Sequence, residues 1–151
     1  MSAPGLQDAL GTWRQAERRW ESIDSDDPDY RAAALEVVSA WLSYHEASES
    51  ERGTFVLIVD EEARYVAVSR GVTDILGYAP DELVGRKIGS VVAGVAGVDP
   101  AQDWQRFLID GRQEGEYSML DRDGREVRLR YQARAHHPIP GYHLSRLRPT
   151  D

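Results

Sequence analysis

The sequence predicts an α+β protein, a five-stranded antiparallel sheet with its helices grouped on one face, preceded by an α-helical hairpin. Three observations lead there. Apolar residues recur at helical spacing through residues 1–50, and after the polar stretch "HEASESERG" the period shortens to that of strands. The strand-like runs then come as two, a group of short helices, and three more. The turn "DRDG" between two alternating runs marks a hairpin, so neighbouring strands pair antiparallel.

The first helix is carried by Leu6, Leu10, Trp13, Ala16 and Trp20, with Arg14, Glu17, Arg18 and Arg19 on other faces. "ESIDSDDPDY" is the turn, in which Asp27 caps and Pro28 takes the first helical position. The second helix presents Tyr30, Ala34, Leu35, Val38, Trp41, Leu42 and His45 as one stripe. Helices over about residues 5–22 and 28–47 form a hairpin that cannot bury both stripes by itself. Residues 1–50 are therefore expected to form a homodimer interface through Leu6, Leu10, Trp13, Trp20, Leu35, Val38, Trp41 and Leu42.

Residues 51–149 make the second domain. "TFVLIVD" and "RYVAVS" are strands joined by the turn "EEAR". A broken helical path follows, stopping at Gly77–Tyr78 and restarting at Ala79–Pro80, where Asp81 and Glu82 complement the helix dipole. "GSVVAGVAG" is a loop or short helix of small residues. Asp99–Pro100 opens a helix that sets Trp104, Phe107 and Leu108 on one side and stops at Gly111. "GEYSML", "REVRLRYQARA" and "YHLSRLR" complete the sheet. The expected core comprises Phe55 or Val56, Ile58, Val68, Ile75, Leu76, Leu83, Trp104, Leu108, Leu129 and Tyr131.

Composition narrows the function. The chain has 151 residues, 41% hydrophobic and 29% charged, enough for a sizeable core. No run is long and apolar enough to span a membrane and no signal-like start is present, which points to a cytoplasmic protein. The net charge of −8 argues against nucleic acid as the main partner. That charge is uneven, −6 over residues 1–50 and −2 over the remainder. Seven arginines crowd residues 122–151, and Arg128, Arg130 and Arg134 alternate along one strand, where the acidic hairpin is a candidate partner. With no cysteine, the chain has no disulfide, thiolate metal site or thiol nucleophile.

The stretch "FVLIVDEEARYVAVSRGVTDILGYAPDELVGRKI", with "FLIDG" and "EYSMLDRDGREVRLR" after it, resembles the PAS family of sensory domains across about residues 52–149. The resemblance implies a PAS-like sheet whose inner face is wrapped by short helices that enclose a pocket. Where members commonly carry Asn after the second strand, this chain has Ser69, a plausible helix cap. The thiol photochemistry of the LOV subfamily is excluded, because Ile88 stands at the reactive position and there is no cysteine anywhere. Haem is disfavoured, since the helix from Asp99 to Gly111 offers no axial histidine. "HHPIPGYH" gathers His136, His137 and His143, but no acid completes a metal site locally and such loop histidines are expected to face solvent.

No hydrolase, metalloprotease or phosphate-loop motif is present, so no enzyme activity and no resident cofactor are assigned. Small residues Val91, Val92, Ala93, Val95, Ala96 and Val98 leave room for a ligand, and Val127, Leu129, Tyr131 and Ala133 share one strand face. An apolar list of this kind fits a filled core as well as a cavity. The expected pocket is Ser69, Ile88, Val92, Trp104, Leu108, Leu129 and Tyr131. The reading is a sensory module that homodimerises, contacts a signalling protein and binds a small apolar ligand such as a fatty acid. A non-covalent flavin redox sensor and a ligand-free dimerisation scaffold are the alternatives.

Overall fold

The structure is a computed structural model that describes residues 5–48, 53–92 and 100–150. The chain divides into two compact units, Met1–Glu51 and Arg52–Asp151.

In the first unit, α1 (Leu6–Ser22) and α2 (Tyr30–Ser48) pack as a hairpin. The second helix starts at Tyr30, two residues beyond the expected Pro28, because residues 24–29 close a tight acidic turn first. Asp27 Oδ1 accepts the Asp29 N–H at 2.8 Å, and Asp27 O accepts the Tyr30 N–H at 3.0 Å. Trp13 packs on Tyr44 (ring centroids 5.2 Å) and Trp20 on Tyr30 (5.9 Å), so both indoles are half-buried across the hairpin rather than bare. Arg19 clamps both carboxylate oxygens of Glu36 at 3.0 and 3.1 Å.

The second unit is a sheet of β1 (Phe55–Val59), β2 (Tyr65–Val68), β3 (Arg112–Leu120), β4 (Glu126–Arg134) and β5 (His143–Pro149), in the order β2-β1-β5-β4-β3 and antiparallel throughout. The first strand of the last group begins at Arg112, earlier than the sequence pattern indicates, because nine residues of β3 pair in register with nine of β4. Between β2 and β3 run α3 (Gly71–Leu76), α4 (Pro80–Leu83), a 3₁₀ turn (Ile88–Ser90) and α5 (Pro100–Asp110). Ala93–Asp99, which include four of the small residues expected to wall the pocket, lie outside the described residues.

The core sits on the inner sheet face, where Phe55, Leu57, Val59, Met119, Leu129 and Leu147 meet Val72, Leu76, Leu83 and Val91. Of the expected members, Ile58 is buried but alternates to the other face of β1, so Leu57 and Val59 take its place inside. On α5, Phe107 is buried and Leu108 only half-buried.

Both outer strands are met by the connecting segment. On β2, Tyr65 N–H bonds Arg86 O, Gly85 N–H bonds Tyr65 O, and Arg64 bridges Lys87. On β3, Val92 bridges Met119, and Leu120 N–H bonds Val91 O.

The broken helix has a mechanical reason. Gly77 takes the left-handed φ of 82° that ends α3, a conformation costly for a residue with Cβ. Tyr78 then turns inward, and its hydroxyl donates to the carbonyls of Leu120 and Asp121, each at 3.1 Å. The interruption thereby ties the helical path to the β3–β4 turn. Restart at Pro80 is supported by Glu82, whose Oε1 accepts the Ala79 N–H at 2.9 Å.

Candidate functional site

Three strands bring Tyr65, Tyr117 and Tyr131 to the inner face, and Tyr78 joins them from the helical path. On β2, strict alternation from inward Val68 would turn Val66 in and Tyr65 out. A bulge reverses this. Ile58 pairs with Ala67 and Val59 with Tyr65, so Val66 is the extra residue and Tyr65 swings into the core. On β3, Gly115, Tyr117 and Met119 alternate inward, opposite Tyr131, Leu129 and Val127 of β4. A Cβ on Gly115 would lie 3.3 Å from the Tyr131 ring and 3.4 Å from its hydroxyl, so the glycine makes the space that this ring fills. Tyr117 meets Tyr131 edge to face at 5.0 Å, and the Tyr131 hydroxyl lies 3.0 Å from Gln113 Oε1.

The polarity of this interior is set by burial. Tyr65 is 1% exposed, and its hydroxyl has no hydrogen-bond partner among the described residues. Burial, then the neighbouring Tyr78, pushes that hydroxyl far above the ordinary tyrosine range. Burial, then Tyr65 and Tyr131, does the same for Tyr117. Both phenols are uncharged at any physiological pH. The Arg86 guanidinium reaches the edge of the core cluster, 6.0 Å from the Tyr78 ring centroid.

The expected pocket residues fall into two sets. Leu129 lies in the core cluster, and Ile88, Val92, Trp104 and Tyr131 are half-buried against it. Ser69 is fully buried, and its Oγ accepts the Val56 N–H at 2.7 Å; it pins β1 to the end of β2 instead of capping α3. Leu108 is half-buried outside the set packed on the core cluster. Tyr65 and Tyr117 join this set without being among the residues the sequence pattern singles out. Tyr117 was open to detection, since it alternates with Met119; Tyr65 was hidden by the bulge.

At one end of the inner face a second polar cluster forms. His143, expected to face solvent, is 1% exposed because it is the first residue of β5 and lies under α5. Its ring meets Trp104 at 5.4 Å and Phe107 at 5.9 Å, both edge to face. Glu61 of the β1–β2 turn supplies the acid that the local sequence lacked, and with His136 and His143 it gathers three donor atoms within 4.8 Å. The hydrogen bonds argue against a metal there. His143 Nδ1 accepts the His136 N–H and His136 Nδ1 accepts the Gly141 N–H, each at 3.0 Å. In the neutral rings both protons therefore sit on Nε2, the only nitrogens left to coordinate. His143 Nε2 lies 3.3 Å from Glu61 Oε1, without the alignment of a hydrogen bond. Burial first, then His136, holds His143 below the usual histidine range, against the opposing pull of Glu61 and Asp60.

An antiparallel sheet of order 2-1-5-4-3, with short helices over one face and an apolar interior, makes the second unit an α+β domain. A family model for the PAS fold matches residues 50–141, and the chain belongs to that family of sensory domains. No curated protein matches it. Among solved structures it is similar to a domain of a sensory box sensor histidine kinase/response regulator from Geobacter sulfurreducens, at 19% identity and TM-score 0.57, covering 83% of this chain and 99% of that one. A PAS domain of an HTR-like protein from Haloarcula marismortui gives 23% identity and TM-score 0.57, over 80% and 98%. A blue-light activated histidine kinase from Erythrobacter litoralis gives 15% and 0.54, over 66% of this chain and 34% of that one. No described helix is long and apolar enough to cross a membrane.

Proposed function

We propose that this chain is a sensory PAS module, not an enzyme, that takes a small uncharged ligand on its inner sheet face and passes the signal through protein contacts as a homodimer. The observation carrying the ligand reading is that Ile88, Val92, Trp104, Tyr117 and Tyr131 pack against the core yet keep accessible surface, while burial still drives the Tyr117 hydroxyl upward. Surface that is accessible but poorly solvated is what the wall of an enclosed space presents. The dimer reading rests on the hairpin. A groove between α1 and α2 sets Ala16, Ala32, Leu35 and Ala40 among Thr12, Gln15, Ser39, Ser43 and the Arg19–Glu36 pair, and Leu6 on α1 is 44% exposed. Val38 and Leu42 are buried in the single chain and contribute no surface to it, whereas Leu10, Trp13, Trp20 and Trp41 keep partial exposure.

Native mass spectrometry and absorbance of freshly purified protein test the ligand half. A co-purifying neutral molecule supports it, flavin absorbance moves the assignment to a flavin redox sensor, and bare colourless protein favours the scaffold. For the other half, sedimentation at micromolar concentration should show a dimer that Leu35→Arg converts to monomer. A monomeric parent chain ends the dimer reading.

A further inference from the structure

A buried hydroxyl with nothing to bond is rare in folded proteins, because its desolvation is left uncompensated. Among the described residues Tyr65 is such a group, and it is there by construction: the β2 bulge turns it inward, where alternation would have placed Val66. The surroundings specify what could satisfy it. Tyr117 packs against the same core cluster, and Tyr131 meets Tyr117 edge to face at 5.0 Å. Met119, Leu129 and Val91 are the apolar neighbours in the same cluster. An anion brought here would lose its hydration, and the Arg86 guanidinium, 6.0 Å from the Tyr78 ring centroid, belongs to a residue that stays exposed. A saturated hydrocarbon would leave the hydroxyl as it is.

Resting on the ligand-sensing reading above, we infer that the inner face recognises a neutral, flat carbonyl compound, with Tyr65 Oη–H donating to the carbonyl oxygen and the Tyr117–Tyr131 pair packing on the ring system. This replaces a fatty acid as the ligand class, because a carboxylate beside the buried Tyr65 would lose its hydration while Arg86 stays exposed. Recognition by a donor that is otherwise unpartnered is selective, since an analogue lacking the acceptor restores the unmet bond.

The test uses the full chain and three probes: 1-indanone, indane (the same rings without the carbonyl) and dodecanoate. Binding is followed by NMR shift changes of Tyr65, Tyr117, Met119 and Leu129, in the parent and in Tyr65→Phe, which keeps the ring and its packing. The expected result is that indanone binds about fivefold to tenfold more tightly than indane, the worth of one neutral hydrogen bond, and that Tyr65→Phe abolishes the difference. Equal binding of indanone and indane in the parent overturns the carbonyl assignment and leaves an apolar pocket standing. Tightest binding by dodecanoate overturns the requirement for a neutral ligand. If none of the three shifts the core resonances, the ligand-sensing reading itself falls, and this inference with it.

Discussion

At the scale of single residues, the buried polar groups Tyr65, Tyr78 and His143 set measurable properties. Tyr65 and Tyr78 are both buried phenols, but Tyr78 donates to the Leu120 and Asp121 carbonyls while Tyr65 donates to no described partner. Their phenylalanine variants should therefore move stability in opposite directions in ligand-free protein. Tyr65→Phe removes an unmet donor and should raise stability by about 1 kcal/mol, and Tyr78→Phe should lower it by about the same amount. Urea denaturation of the two variants beside the parent checks the contrast; a loss in both would show Tyr65 to be partnered. His143 supplies a pH dependence. Because its folded pKa is lowered, the unfolded chain binds the proton more readily. The stability it contributes is complete above the ordinary histidine pKa of about 6.5 and falls as pH drops below that value, levelling once the folded form also protonates. His137, lowered by burial and then by Arg134, acts with the same sign. The groups facing His143 are His136, Glu61 and Asp60, and a second ring proton would oppose the His136 N–H that Nδ1 now accepts. NMR titration should place His143 below a free histidine, and the urea midpoint should be lower at pH 5.5 than at 7.5.

At the scale of elements, the two β-hairpins β1–β2 and β3–β4 repeat one device. Asp60 Oδ1 accepts the N–H groups of Glu62 and Arg64 at 2.9 and 3.1 Å. Asp121 Oδ1 accepts those of Asp123 and Arg125 at 2.9 and 2.8 Å. In each, the fourth residue of the turn has positive φ: Gly124 at 84°, but Ala63 at 61°. The left-handed region costs a residue with Cβ roughly 1 kcal/mol relative to glycine. Ala63→Gly should then stabilise the unit by up to about 1 kcal/mol, and Gly124→Ala should destabilise it by a similar amount, both read from urea midpoints. The outer face of β3–β4 carries the arginine row. Arg128 and Arg130 pair with Glu116 of the neighbouring strand at 3.3 and 3.6 Å, so each already has a counter-charge within its own unit. These pairs are exposed and contribute little each.

At the scale of the whole molecule, the change of period after residue 50, the order of strands and helices, and the Gly77–Tyr78 break were legible in the sequence, because each rests on local chemistry. The candidate site was less so. Ile88, Val92, Trp104, Leu129 and Tyr131 could be read from apolar spacing, and the core gathers them. Tyr65 needed the bulge at Val66, which depends on how β2 pairs with β1. Burial of His143 needed α5 to come down on the start of β5, and its meeting with Glu61 joined residues far apart in the chain. Such coincidences belong to three dimensions. The loop contacts along the two outer strands carry a consequence of their own. A neighbouring copy seeking to lengthen the sheet finds β2 occupied at Arg64 and Tyr65 and β3 occupied at Met119 and Leu120. Along the rest of β3 it meets the exposed charges of Arg112, Glu114 and Glu116. Ribbon growth from chain to chain is thereby starved of a template, and a concentrated stock of the protein is expected to show no thioflavin-positive fibrils on prolonged incubation. Since residues 85–92 both guard these borders and include Ile88 and Val92 of the proposed pocket, a change that loosens them is expected to weaken the proposed recognition and the border protection together.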